Sequence, residues 1–202
     1  MKLYSSALAP SPRRVRMFAA EKELALPVVE VDIASDQTHA PEFLAINDVG
    51  ETPVLELDDG TRLTESLAIC RYLESLQPEP NLLGTTPLEQ ARIEALVLQI
   101  MFRIYVPTTQ AFRHTHRFWS GRLRQVPEYG AIAREQALTD WQRWNTRLAH
   151  QTYIAGDRYT FADIVAYTTL EFGKPSGIRV APEQDHLARW HALIGARPSA
   201  RA

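Results

Sequence analysis

Apolar positions recur with two different periods along the chain. Up to about residue 78, short apolar runs alternate with turn signals and brief helical stretches; from Pro87 onward the spacing is helical throughout. Lys2-Leu3-Tyr4 reads as a short strand. Pro12 to about Glu23 predicts a helix with Val15, Phe18, Ala19 and Leu24 on one face. Pro27 to Ile33 alternates as a strand, and Pro41 to Asn47 reads as a short helix. Val54, Leu55 and Leu57 are strand formers. Asp59-Gly60 is a two-residue hairpin signal, because glycine takes φ > 0 without penalty. Thr61-Arg62-Leu63 is the returning strand, and Glu65-Ser66 opens a helix running through Leu73. The first two strands need a crossover and are expected to be parallel; the last two share a tight turn and must be antiparallel.

This order, β-α-β followed by a helix, a hairpin and a final helix, is thioredoxin-like. Gln77-Pro78-Glu79-Pro80-Asn81-Leu82-Leu83-Gly84 then reads as a linker. The expected organisation is therefore an α/β domain over residues 1–78, a linker over 79–86 and an all-helical bundle over 87–202. In the bundle, Pro87 to about Gln110 predicts a long amphipathic helix, bent or broken near Pro107. Pro127 to Ala149 is a second long helix. Thr160 to Phe172 is short and apolar, hence central, and Glu183 to about Ala196 closes the bundle. Thr160-Phe161-Ala162-Asp163 has the spacing of a capping box, with Tyr159 and Ile164 at the positions of a hydrophobic staple.

Composition narrows the functional classes. With 202 residues and 45% hydrophobic content the chain can bury an ordinary core. A formal net charge of −2 and a pI near 6.3 give no electrostatic footprint for nucleic acid. No apolar run approaches the ~20 residues of a membrane helix, and Met-Lys-Leu-Tyr-Ser leads directly into a strand pattern, so no signal peptide is expected. Cys70 is the single cysteine, which excludes an intramolecular disulfide and fits a reducing cytoplasm.

Several motifs together resemble the cytosolic glutathione S-transferase superfamily, over nearly the whole chain. Leu3-Tyr4 followed by Pro12-Arg13-Arg14-Val15-Arg16 is similar to its first strand and helix, Pro41 to Asn47 to its PEFLxxN helix, and Leu63 to Leu73 to its TES-AI-RYL segment. Tyr153 to Asp163 is similar to the capped buried helix of its C-terminal domain, and Arg197-Pro198-Ser199 to its tail. Within the superfamily the Gtt-like branch of fungi and bacteria, related to the theta class, is most similar. The chain departs at Asn47-Asp48, where the family commonly has Asn-Pro, and at Thr52, where Val or Ile commonly precedes the cis-proline.

The resemblance implies a transferase that binds glutathione as co-substrate and adds its thiolate to a hydrophobic electrophile in detoxification, as a homodimer, without a metal. A non-catalytic glutathione-binding or scaffold protein on the same fold is the alternative. Thr52, ahead of a cis Pro53, would offer its backbone to the extended tripeptide. Glu65 and Ser66 at a helix start suit the γ-glutamyl ammonium and carboxylate; equally, they serve as a cap and a dipole partner. His39 and Arg14 are the candidate cations for the glycine-end carboxylate, with Gln37 behind them. A thiol of pKa ~8.5 is a few per cent ionised at pH 7, and lowering it two units takes about 2.7 kcal/mol. A charge-assisted hydrogen bond supplies roughly 1.5–3 kcal/mol and a helix N-terminus about 0.3–1. Ser11, read as an N-cap ahead of Pro12, has that position; so does an ordinary capping serine. His114 is the second catalytic candidate: His114 or His116 could hold a water against the sulfur, or both are solvent-facing histidines on a basic stretch. Their i,i+2 spacing puts them on different faces, so a shared metal is not expected. Tyr105, Phe112, His116 and Trp119 are the candidate second-substrate residues, and equally a core stripe. Cys70, beside Ile69 and Leu73, reads as a small buried hydrophobe.

Overall fold

In the computed structural model, which describes residues 1–202, the chain forms two units: Met1–Leu82 together with Pro198–Ala202, and Leu83–Arg197. The first unit holds β1 (Lys2–Ser5), α1 (Pro10–Glu21), β2 (Val28–Glu30), α2 (Pro41–Leu44), β3 (Val54–Glu56), β4 (Arg62–Thr64) and α3 (Ser66–Leu76). The sheet order is β2-β1-β3-β4. β1 runs parallel to β2 and antiparallel to β3, and β3 is antiparallel to β4. The expected directions are thus observed. β2 is shorter than its alternating pattern suggests and is exposed throughout, as an edge strand; the inner strands carry the buried Leu3, Val54 and Leu55. Tyr4 packs edge-on against Phe43 at 6.3 Å, in a cluster with Val31 and Val54.

α1 begins two residues earlier than predicted. Pro10 takes the first helical position and Ala9 the N-cap, so Ser11 lies inside the first turn rather than capping it. Proline's fixed φ suits that first position, and the sequence offers two prolines spaced for it. The far end of α1 carries a feature the sequence does not signal. Lys22 is fully buried, paired with Glu74 of α3 and donating to the carbonyls of Pro78 (3.1 Å) and Pro80 (2.6 Å). A lysine removed from water is tolerated only with such partners. The last residues, expected to belong to the helical domain, pack with the first unit: Arg13 donates to the Ala200 carbonyl at 2.9 Å, and Ser199 donates to Glu21.

The second unit contains α4 (Pro87–Ile100), α5 (Val106–Thr115), α6 (Pro127–Leu148), α7 (Phe161–Gly173) and α8 (Asp185–Gly195). α4 does not break at Pro107. A π-helical turn over Met101–Tyr105 joins it directly to α5. Proline lacks an N–H and crowds the carbonyl four residues back. A wider turn immediately before it absorbs both effects and keeps the helical path.

α7 is buried from Phe161 through Leu170, as its apolar content requires. Its capping box forms, and the acid does more than cap. Asp163 Oδ2 accepts from the Thr160 N–H at 3.0 Å; Oδ1 accepts from the Ile154 N–H at 2.9 Å and from the Trp190 indole at 2.8 Å. Burial pushes this carboxyl up from 3.8 to about 6, against the opposing pull of those donors.

The folded state therefore holds a proton on Asp163 that the unfolded chain releases near pH 3.8. Its stabilising contribution is complete below that value and is lost as pH rises through 6. Asp163→Asn removes the titration. The difference in unfolding free energy between wild type and variant should move against the wild type, on the order of 3 kcal/mol, between pH 4 and pH 7. Urea denaturation across that range measures it; a flat difference would contradict the assignment.

Candidate functional site

In the α/β unit the candidate residues gather where β3, β4, α1 and α3 meet. Thr52 lies just ahead of β3, beyond the last ladder pairs Tyr4↔Val54 and Val54↔Thr64. The Thr52–Pro53 bond is cis. β4 ends at Thr64, and Glu65 follows with φ 65° and ψ 114°. That is the left-handed half of backbone space, which a residue with a Cβ enters only at a cost. Glu65 occupies the N-cap of α3 with its side chain exposed, and makes no side-chain cap. Ser66 is the first helical residue and is buried, so the reading of Ser66 as a plain N-cap does not hold.

Arg14, a candidate cation for the glycine-end carboxylate, is 1% exposed. One guanidinium nitrogen reaches Ser66 Oγ at 3.4 Å and Ser11 Oγ at 3.5 Å. The i,i+3 spacing of Ser11 and Arg14 puts both on the face of α1 turned to α3. One buried cation thereby draws together hydroxyls that lie 55 positions apart in sequence. A hydroxyl oxygen that accepts from a guanidinium is polarised by the positive charge. Prolines at 10 and 12 also leave Ser11 as the only one of the first three helical residues with an N–H. His39 is exposed and local in its contacts: Nδ1 lies 2.8 Å from Asp36 Oδ1 and 3.3 Å from Thr38 Oγ1. Cys70 is buried in α3, and burial pushes its thiol well above the usual range. It is no nucleophile at neutral pH.

In the helical unit, Phe112 is the centre of a cluster of half-buried rings. His116 stacks on it at 4.6 Å and Phe118 at 6.1 Å; Trp119 meets it edge-on at 6.5 Å and Phe172 at 5.2 Å. Tyr105 joins through Phe172 at 6.5 Å. The four candidate second-substrate residues thus share one patch. Phe118 and Phe172 belong to it as well: Phe118 was hidden in a stretch read for its histidines, and Phe172 comes from a helix read as pure core.

Both histidines have a defined proton arrangement. His114 Nδ1 accepts the Val126 N–H at 3.1 Å, and His116 Nδ1 accepts the Phe118 N–H at 3.2 Å. The neutral rings are therefore Nε2–H tautomers and present a donor, not a lone pair. The joint that fixes them is tight. Gln125 donates to the Arg113 and His116 carbonyls at 2.9 and 3.0 Å. Gly130 lies so close to α5 that a Cβ there would sit 2.6 Å from Thr115 Cγ2 and 3.1 Å from His114 Cβ. A cavity of about 520 Å³ also opens in this unit, lined by Gln99, Arg103, Asp140, Arg143, Trp144 and Arg147. It shares no residue with the aromatic patch.

An α/β unit with a mixed four-stranded sheet, followed in the chain by an all-helical unit, is the two-domain arrangement of the transferase class that the sequence resembles. The family models of the glutathione S-transferase N-terminal and C-terminal domains match residues 9–76 and 93–198. The chain belongs to the glutathione S-transferase family, in its Gtt-like branch, and is a glutathione transferase. Glutathione S-transferase 2 of Saccharomyces cerevisiae is 34% identical over 205 aligned residues, covering all of this chain and 88% of the relative. The crystal structure of Gtt2 from S. cerevisiae superposes with a TM-score of 0.93 at 33% identity, covering 100% of this chain and 99% of that one. A class Gtt2 transferase of Vibrio parahaemolyticus gives 0.87 at 31% identity, covering 100% and 96%.

The backbone at Glu65 yields a stability prediction. Glu65→Gly removes a left-handed strain worth about 1–3 kcal/mol and adds an unfolded-state entropy cost of about 0.5–1. The glycine variant should be more stable than Glu65→Ala by about 1 kcal/mol in chemical denaturation. Equal stability of the two would mean that the conformation is not strained.

Proposed function

We propose that this transferase adds the glutathione thiolate to a hydrophobic aromatic electrophile in detoxification, as a cytoplasmic homodimer. The observation that carries this reading is the assembly at the start of α3. There the strained Glu65 precedes the buried Ser66, and Arg14 joins Ser66 to Ser11 on the first turn of α1. Strain of that kind persists at binding sites because the surrounding structure holds it. Glu65 would meet the γ-glutamyl ammonium, and the Ser66 hydroxyl with the α3 N-terminus its carboxylate. Thr52 would receive the peptide backbone, and His39 the glycine-end carboxylate. Ser11 would donate to the sulfur, with the Arg14 charge behind its oxygen lowering the energy of the thiolate. His114, as an Nε2–H donor, is the second group proposed for that role, directly or through a water. The half-buried rings around Phe112 would take the apolar part of the electrophile.

Calorimetry and ultraviolet thiolate absorbance test this in one variant series. Glu65→Ala and Ser66→Ala should each weaken glutathione binding tenfold or more, a loss of about 1.4 kcal/mol or above. Ser11→Ala should raise the bound-thiol pKa by more than one unit. A rise confined to His114→Ala would move activation to the helical unit. A wild-type protein that leaves the thiol pKa at its solution value would favour the non-catalytic alternative.

The dimer is supported by apolar side chains left exposed on the helical unit, Leu88, Leu98, Phe102 and Ile132 among them. Sedimentation at micromolar concentration should give twice the 22.9 kDa chain mass; a monomer mass would refute it.

A further inference from the structure

Residues 110–125 contain four arginines and two histidines and no acidic residue. The aromatic patch grows out of this segment, and the charged and nitrogen-bearing side chains of its arginines, histidines and tryptophan offer positive charge or N–H donors and no negative charge. His116 Nδ1 is engaged by the Phe118 N–H, so in the neutral ring, stacked on Phe112, the proton sits on Nε2. The Trp119 indole N–H is buried and has no acceptor. A buried donor without a partner costs free energy, and an acceptor brought by a ligand would satisfy it. Two cations lie on the rings themselves: the Arg113 guanidinium is 4.8 Å from the Trp119 ring centre and that of Arg122 is 4.4 Å from Phe118. Glu171, the acid next to Phe172, is committed to His191 and Lys174.

Rings supply flat apolar contact, and positive charge with N–H donors supplies the selection. The two ring faces that would attract a cation already carry Arg113 and Arg122, so the remaining selection favours an anionic acceptor. We propose that the patch is a donor-only site whose ligand is a planar aromatic compound carrying an anionic acceptor, a carboxylate or sulfonate, held by Trp119 Nε1–H and His116 Nε2–H. This rests on the reading that the helical unit takes the second substrate, and it makes aromatic acids the preferred electrophile class. Trp119 and His116 are then specificity residues: they act on which ring binds, not on the thiol.

Two probes of the same shape separate charge selection from apolar contact. 1-Naphthoate and 1-naphthylmethylammonium are titrated into the wild-type protein, with the indole and imidazole N–H resonances followed by ¹⁵N NMR. Naphthoate should bind at least tenfold more tightly, and its binding should shift the Trp119 Nε1–H and His116 Nε2–H signals. Trp119→Phe and His116→Phe keep the rings and delete the donors. Each should lose three- to tenfold in naphthoate affinity with the ammonium probe unaffected, in proteins whose thermal transitions show them folded. Equal affinity for the two probes overturns the proposal, as does naphthoate binding that leaves both N–H signals in place. Should a variant fail to fold, the wild-type shifts decide. Selective naphthoate binding in a protein that conjugates no electrophile would uphold the donor-only site and reject its role in transfer.

Discussion

The helical unit is organised around one buried carboxylate. Asp163 accepts hydrogen bonds from the start of its own helix, from the Tyr153–Gly156 turn ahead of it through Ile154, and from Trp190 on α8. Each donor would be costly to bury alone, and one side chain satisfies all three. α7 then sits in the middle of the bundle with its N-terminal capping box satisfied by this one side chain. The helices around it carry the exposed chemistry: α5 and α6 meet at the Gly130 contact, and the rings of Phe112, His116, Phe118 and Trp119 gather at the end of α5.

The α/β unit uses buried cations in a comparable way. Lys22 closes the C-terminal end of α1 onto α3 through Glu74 and two carbonyls. Arg14 draws the opposite end of α1 to the start of α3 through two serine hydroxyls. The pair brackets the helix, one charge for each end. The cation at the N-terminal end is the one beside the residues proposed to handle glutathione. Its position explains why short polar side chains line up there: a guanidinium in a buried setting needs acceptors, and two serine hydroxyls supply them.

A similar economy applies to the histidines. Chemistry at neutral pH draws attention to imidazole as a base. Here two backbone N–H groups occupy the Nδ1 positions, so the rings act through Nε2 as donors. For His114 that follows from the joint between α5 and α6, where Val126 opens α6; for His116 it follows from the local turn over Arg117–Trp119, which its ring caps.

The chain on its own determined the order and type of nearly every element, the parallel and antiparallel pairings, the capping box at Thr160 and the segment around Glu65. These are local properties, written in periodicity, turn residues and cap spacing over a few positions. The resemblance to a family added roles to residues whose local pattern left two readings open. Tertiary structure decided what local pattern cannot encode. Pro10 displaced Ser11 from the cap, because two prolines competed for one helix start. A π turn carried the chain past Pro107, because packing on both sides favoured a continuous helix over a break. Arg14 turned inward, because hydroxyls from two helices met there, although an arginine on a short helix otherwise reads as solvated. The tail after Arg197 joined the first unit, through contacts with residues more than 170 positions away. Long-range contacts of this kind leave no periodic trace in a sequence, since each is made by a single residue whose partner lies outside any window that could reveal it.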